Sequence, residues 1–229
     1  MDQESGKPIE IDGKPVTAET TFKPKKSSGS AKVTFTFNAS SLKGKTIVVF
    51  EELYQEDLKL AVHADITDQD QTIYFPEIGT TAKDKETDMN LSQADKEVTL
   101  VDTVAYKNLL PGEEYVMTGT LMDKETGKPV EIDKKEVTAE TTFTPKESSG
   151  TVDVIFSFDG TSLAGKTVVV FESATYDGKE FEHTQILKIM GRPSTSQKSL
   201  LLQKIKQTEI ILPKPIKRLP SLTRLNIVT

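Results

Sequence analysis

Short runs of alternating apolar and polar residues, separated by turn signals, recur along most of the chain. Val33-Thr34-Phe35-Thr36-Phe37 and Val152-Asp153-Val154-Ile155-Phe156-Ser157-Phe158 each send Val and Phe to one face of a strand. Leu109-Leu110-Pro111-Gly112-Glu113-Glu114-Tyr115 reads as strand, turn, strand, with Pro-Gly at the turn. Asp123-Lys124-Glu125-Thr126-Gly127-Lys128-Pro129 is a second turn of this kind. About seven such strands in a unit of about 100 residues predict an immunoglobulin-like β-sandwich. Residues 83–95, KDKETDMNLSQAD, read as a polar loop. In Ile78-Gly79-Thr80-Thr81-Ala82, a strand with Ile78 and Ala82 inward also turns Thr80 inward and Thr81 outward.

The pattern is duplicated. Met1–Glu51 aligns with Met122–Glu172 without a gap, at roughly two thirds identity, and a period this long marks tandem whole domains. MDQESGKPIEIDGKPVTAETTF stands against MDKETGKPVEIDKKEVTAETTF, and SSLKGKTIVVFE against TSLAGKTVVVFE. The first copy starts inside its unit, and the second shows the upstream part, EVTLVDTVAYKNLLPGEEYVMTGTL. The expected organisation is a partial unit at 1–76, a nearly complete unit at 77–183, and a tail at 184–229. The expected fold class is all-β, with tandem immunoglobulin-like (CnaB-type) sandwich units, the first partial and the second lacking its last native strand.

Composition narrows the function classes. The 229 residues hold no Cys and no Trp, so neither a disulfide framework nor a thiolate metal site is available. Net charge is -6, but residues 184–229 carry nine Lys/Arg against the single acid Glu209. The tail is therefore +8 and the body -14 (-6 minus 8), which argues against nucleic acid as a partner. There is no run of 18 apolar residues, so no membrane span is expected.

Candidate chemistry clusters at strand ends. The run Ile47-Val48-Val49-Phe50 ends on Glu51; after a polar turn come Leu60-Ala61-Val62, His63 and, eight residues on, Gln71-Thr72. In the second unit the corresponding acid and imidazole are Glu172 and His183, and Asp102 follows Thr99-Leu100-Val101. Taken singly, each has an ordinary reading: a solvated strand end, an edge histidine, a strand threonine. His63 with Asp65, Asp68 and Asp70 lacks the Gly and distal Glu of a calcium loop, so no metal site is expected.

Together with VVFE at 48–51 and 169–172, HADITDQDQT at 63–72 and DTVAYKNLLPGEEYVMTGTLMDKETGKPV at 102–130, these residues resemble a known family. It comprises the repeat domains of Gram-positive surface adhesins often called VaFE repeats, CnaB-like domains that form an internal Thr–Gln ester. The resemblance covers about residues 1–183. It implies Thr80 as nucleophile, Asp102 and Glu172 as a carboxyl pair, and His183 as base in the second unit. In the first it implies Gln71 as electrophile, with Glu51 and His63 assisting. It also implies a cross-link that replaces disulfides, and no cofactor.

After His183 the second copy stops matching: TQILKIMGRPSTSQKS stands where ADITDQDQTIYFPEI is expected. Codons that permit Thr184–Ser199 also permit, two bases later, the reading ADIEDNGQTVHFPEI. The tail is accordingly read as frameshift-derived and disordered. Gln185 and Gln197 do not fall at the required position, so neither unit is expected to hold a complete ester-forming set. A different reading makes the basic, apolar tail a ligand for an anionic membrane or wall polymer. Pro213, Pro215 and Pro220 oppose a long amphipathic helix there, and Leu219-Pro220-Ser221-Leu222-Thr223 departs from a sortase signal.

The expected role is a structural stalk repeat of an extracellular, cell-wall-associated adhesin, with neighbouring repeats as partners and a host-surface ligand engaged elsewhere in the parent protein. The alternative is a module that binds a host protein or glycan directly. An enzyme acting on an external substrate is the third reading, and it has least support because every reactive residue has an intramolecular assignment.

Overall fold

The computed structural model describes residues 1–183, with side chains through Phe181, and the backbone strands at 208–211 and 223–228. These residues form two compact units, Met1–Phe75 with Lys198–Thr229, and Pro76–Gln197. Both are immunoglobulin-like and built from strands, the only helices among the described residues being two single 3-10 turns.

In the Met1–Phe75 part of the first unit the strands of three or more residues are β1 (Thr17–Phe22), β2 (Ser30–Val33), β3 (Thr46–Val48), β4 (Phe50–Gln55), β5 (Leu58–His63) and β6 (Thr72–Tyr74). Alternation works as the sequence implies: Val33 and Phe35 are buried, and they pack with Ile9, Leu42, Ile47, Leu53 and Phe75. The strand of the VVFE motif does not stop at the acid, however. It continues as β4 through Gln55, so Glu51 lies inside a ladder, opposite His63 of β5. The short β6 closes the unit by pairing antiparallel with β3, Ile47 opposite Ile73.

The second unit contains β7 (Glu77–Asp84), β8 (Val98–Lys107), β9 (Tyr115–Asp123), β10 (Thr138–Phe143), β11 (Gly150–Phe158), β12 (Val168–Tyr176) and β13 (Lys179–His183). One sheet runs β11-β8-β7; in the other, β9 lies between β10 and β12, and β13 pairs with β12. Val104, Met117, Val154 and Ala174 are fully buried between the two sheets. At the register position of Gly119, a Cβ would lie 2.6 Å from Cζ of Phe156, so the bare backbone is what lets the sheets approach. Residues 83–84 extend β7, and the polar loop proper follows, anchored where Ser92 Oγ donates to Asp84 Oδ2 at 2.6 Å.

Two stretches of the basic tail, which the sequence reading leaves without secondary structure, pair with the first unit. β14 (Thr208–Ile211) adds to β2, and β15 (Thr223–Val228) lies between β1 and β4. The register is that of the second unit: Thr223 faces Phe22 and Gln55, just as Tyr115 faces Phe143 and Tyr176. The tail strand thus takes the β9 place in a unit that has no β9 of its own. Gln185 and Gln197, and the side chain of His183, fall outside the described residues.

Candidate functional site

Strand parity decides which polar groups turn inward. In β4 Glu51 shares its face with Leu53; in β12 Glu172 lies between Val170 and Ala174 on the core side. In β8 Asp102 falls between Leu100 and Val104 on the inward face. Glu51 is 4% exposed, Glu172 2% and Asp102 0%. A buried carboxyl is tolerable only if it is protonated, hydrogen-bonded or paired.

In the first unit the imidazole of His63 bridges two acids. Its Nδ1 lies 3.1 Å from Oε2 of Glu51, and its Nε2 lies 3.0 Å from Oδ2 of Asp68. Loss of water around Glu51 pushes its carboxyl above the ordinary glutamate range, while the hydrogen bond and charge of His63 pull it back. Asp68 is held in its turn by the amide of Asp70, which donates to Asp68 Oδ1 at 2.8 Å. Gln71 follows directly. Its backbone carbonyl accepts from the amide of Val49 at 3.0 Å. Its side-chain Oε1 is buried, as is Oε1 of Glu51, and neither has a hydrogen-bond partner among the described residues.

In the second unit the hydroxyl of Thr80 donates to Oδ1 of Asp102, while the buried Oδ2 of Asp102 has no partner among the described residues. The parity expected for β7 holds: Ile78 and Asp84 are buried and Thr80 is on their side of the strand. Yet Thr80 is exposed, because it stands at the wall of a cavity of about 580 Å³ that also touches Asp102, Leu163, Val168 and Val169. Glu172 sits opposite Gly119 in the β9–β12 ladder, and His183 opposite Ser173 in the next.

The structure therefore gathers Glu51, His63 and the Gln71 segment in one unit, and in the other it pairs Thr80 with Asp102 and buries Glu172 on the strand beside β9. Asp68, weighed beside His63 only as a metal ligand, makes a contact with the imidazole that sequence reasoning missed. It lies five residues after His63, a spacing with no meaning until the turn folds it back; Lys188 stands at the same distance from His183. No group of three or more acidic or histidine side chains with metal-holding geometry occurs among the described residues.

Among curated proteins no sequence matches the chain. Solved structures of a bacterial adhesin from Mobiluncus mulieris, described as containing intramolecular disulfide, isopeptide and ester bond cross-links, are similar in two crystal forms. The first is 16% identical with a TM-score of 0.34, covering 49% of this chain and 50% of the adhesin; the second is 17% identical with a TM-score of 0.32, covering 62% and 57%. The chain thus spans between half and three fifths of the length of those structures. The family profile described as the T-Q ester bond containing domain matches residues 1–75 and again 76–191, so the chain belongs to the family of T-Q ester bond domains.

Proposed function

We propose that the chain is a load-bearing segment of an extracellular, surface-attached adhesin, whose units are built to be locked by an ester between threonine and glutamine side chains. The observation that carries this reading is the Thr80 hydroxyl hydrogen-bonded to the wholly buried Asp102. A threonine with only a structural role needs no such acid, and a buried aspartate is costly unless it has a task.

Each reactive group answers a chemical difficulty. A threonine hydroxyl is a weak nucleophile and a carboxamide a poor electrophile. Asp102 orients the hydroxyl, and the histidine on the strand after the VVFE motif, His183 here and His63 in the first unit, takes its proton. Glu172 and Asp102 cannot both ionise comfortably in an apolar interior, so one keeps a proton and donates it to the amide carbonyl. The raised carboxyl of Glu51 fits that donor role in the first unit. Attack by Oγ1 on the glutamine Cδ forms the C–O bond and breaks the C–N bond. The hydroxyl proton leaves on nitrogen as ammonia. Apolar packing then shields the ester from water.

Linking first and last strands closes a loop of about 100 residues, which by analogy with a disulfide constrains the unfolded chain by about 4–5 kcal/mol. Under shear, a strand tied at its side chain cannot peel away. Each unit in this chain carries part of the set, Gln71 in the first and Thr80 in the second, so the chain is not expected to close either by itself. Single-molecule pulling tests the load-bearing role. A second unit given a glutamine-bearing closing strand should show no unfolding extension between its tie points, whereas the same protein with Thr80→Ala should extend. Equal extension of the two would contradict the reading.

A further inference from the structure

The cavity beside Thr80 has a counterpart that shows what belongs in it. In the first unit β6 covers β3. Gly44 N donates to Phe75 O at 3.0 Å, Phe75 N to Lys45 O at 2.9 Å, and Val49 N to Gln71 O at 3.0 Å. Under that cover Leu42 is 2% exposed, Ile47 1% and Val48 0%. The repeat places Leu163, Val168 and Val169 at these three positions in the second unit. All three are only half-buried, and all three line the 580 Å³ cavity together with Thr80 and Asp102. The same apolar strip is thus buried where a closing strand lies on it, and open to the cavity where Thr80 stands.

The chain's own next residues lack the group that the site would take. The glutamine of the first unit falls eight residues after His63; eight residues after His183 stands Gly191. Nor do the tail residues repeat the Gln-Thr-Ile-Tyr-Phe pattern of residues 71–75, whose Ile73 and Phe75 pack in the first unit's core.

We propose that this cavity is a strand-accepting site, and that its ligand is the glutamine-bearing closing strand of another chain of the same repeat type. The incoming strand pairs antiparallel with Thr167–Val169 in the register of Thr72–Tyr74 on β3. It lays its Ile and Phe over Leu163 and Val168, and brings its glutamine to Thr80. Main-chain pairing supplies affinity and the two apolar positions fix register, as in other strand-addition sites. The covalent step rests on the ester chemistry proposed above. Thr80 Oγ1 bonds to Cδ of the incoming glutamine, the C–N bond breaks, and the hydroxyl proton leaves with nitrogen as ammonia. Two chains would thereby be joined without an enzyme or an external reactant.

The test uses the full chain and a fluorescent synthetic peptide of residues 64–76, ADITDQDQTIYFP, which begins after His63 because the chain has its own histidine at that repeat position, His183. Expected is saturable binding, weakened by at least about tenfold in Val169→Lys, followed by an adduct about 17 Da lighter than the sum of the two. Thr80→Ala should keep the binding and lose the adduct. Hydrogen exchange of β8 and β9 on the Val169→Lys protein checks that the unit is still folded. Binding at this site without an adduct would leave the strand site standing and refute the ester chemistry. No binding, or binding indifferent to Val169→Lys in a folded unit, would overturn the proposal.

Discussion

Thr80 and Asp102 are diagonal neighbours across a β-ladder, Thr80 facing Val104 and Asp102 facing Ala82, and the threonine hydroxyl donates to the aspartate. Two strands and a pleat are enough to bring them together. Because both lie on the inward faces, the pair is set by parity and register rather than by loop conformation, and a slip of one residue would send both to the other face.

The first prediction follows from that pair. Thr80→Val keeps the shape and removes the donor, leaving a fully buried aspartate oxygen unpaired. Urea denaturation of the second unit should show a loss of about 1–3 kcal/mol. Thr80→Ser, which restores a donor, should recover most of it.

A second concerns how closely the sheets approach. Gly119→Ala places a methyl group 2.6 Å from the ring of Phe156, and the ring is fully buried with little room to yield. Destabilisation of about 1–3 kcal/mol is expected, read from thermal or urea unfolding. Phe156→Leu in the same protein should lessen the penalty of the added methyl, so the double mutant should be less unstable than the two losses added together.

A third concerns pH. Burial raises the carboxyl of Glu51 above its unfolded value, against the smaller pull of His63. A group of this sign contributes stability that is full below the unfolded glutamate range and is lost as pH rises through the raised folded value. The difference in stability between the native protein and Glu51→Gln should therefore shift against the native protein as pH rises across that window. A flat difference would show that His63 compensates the burial and the nearby charge of Asp68 completely.

A fourth concerns the tail. β15 hydrogen-bonds on both sides, to β1 and to β4. Asn226→Pro removes a donor and fixes an unsuitable backbone angle in the middle of that strand. Amide exchange should quicken in Thr17–Phe22 and Phe50–Gln55, and stay unchanged in β8 and β9 of the second unit.

Much of this arrangement is legible in the sequence, because it depends on period-two alternation and on a repeat. The sandwich class, the burial of Val33 and Phe35, the inward Val and Phe of β11, and the parity of Thr80 all follow from spacing. Glu51 was harder to place. A carboxylate after Val-Val-Phe reads as a strand end, and only the continuation through Leu53 shows it to be an inward position in a longer ladder. The ion pair of Asp68 with His63 was not foreseen, since it is made by a turn whose path no periodicity encodes. The tail strands were missed for another reason. Backbone pairing is nearly blind to side chains, and Thr208–Ile211 and Thr223–Val228 carry no resemblance to the segments whose places they take. The openness of Thr80 was equally unreadable, because it reflects what covers the strand and not the strand itself.

The central claim is that Thr80 is poised to condense with a glutamine carried on a closing strand. Replacing residues 184–198 by ADIEDNGQTVHFPEI supplies that glutamine eight residues after His183, within the same chain. Intact mass spectrometry of this variant should show a mass about 17 Da below that of its sequence, with no deficit when Thr80→Ala is added and none in the native chain. A full-length mass in the variant, or a deficit that survives Thr80→Ala, would contradict the account.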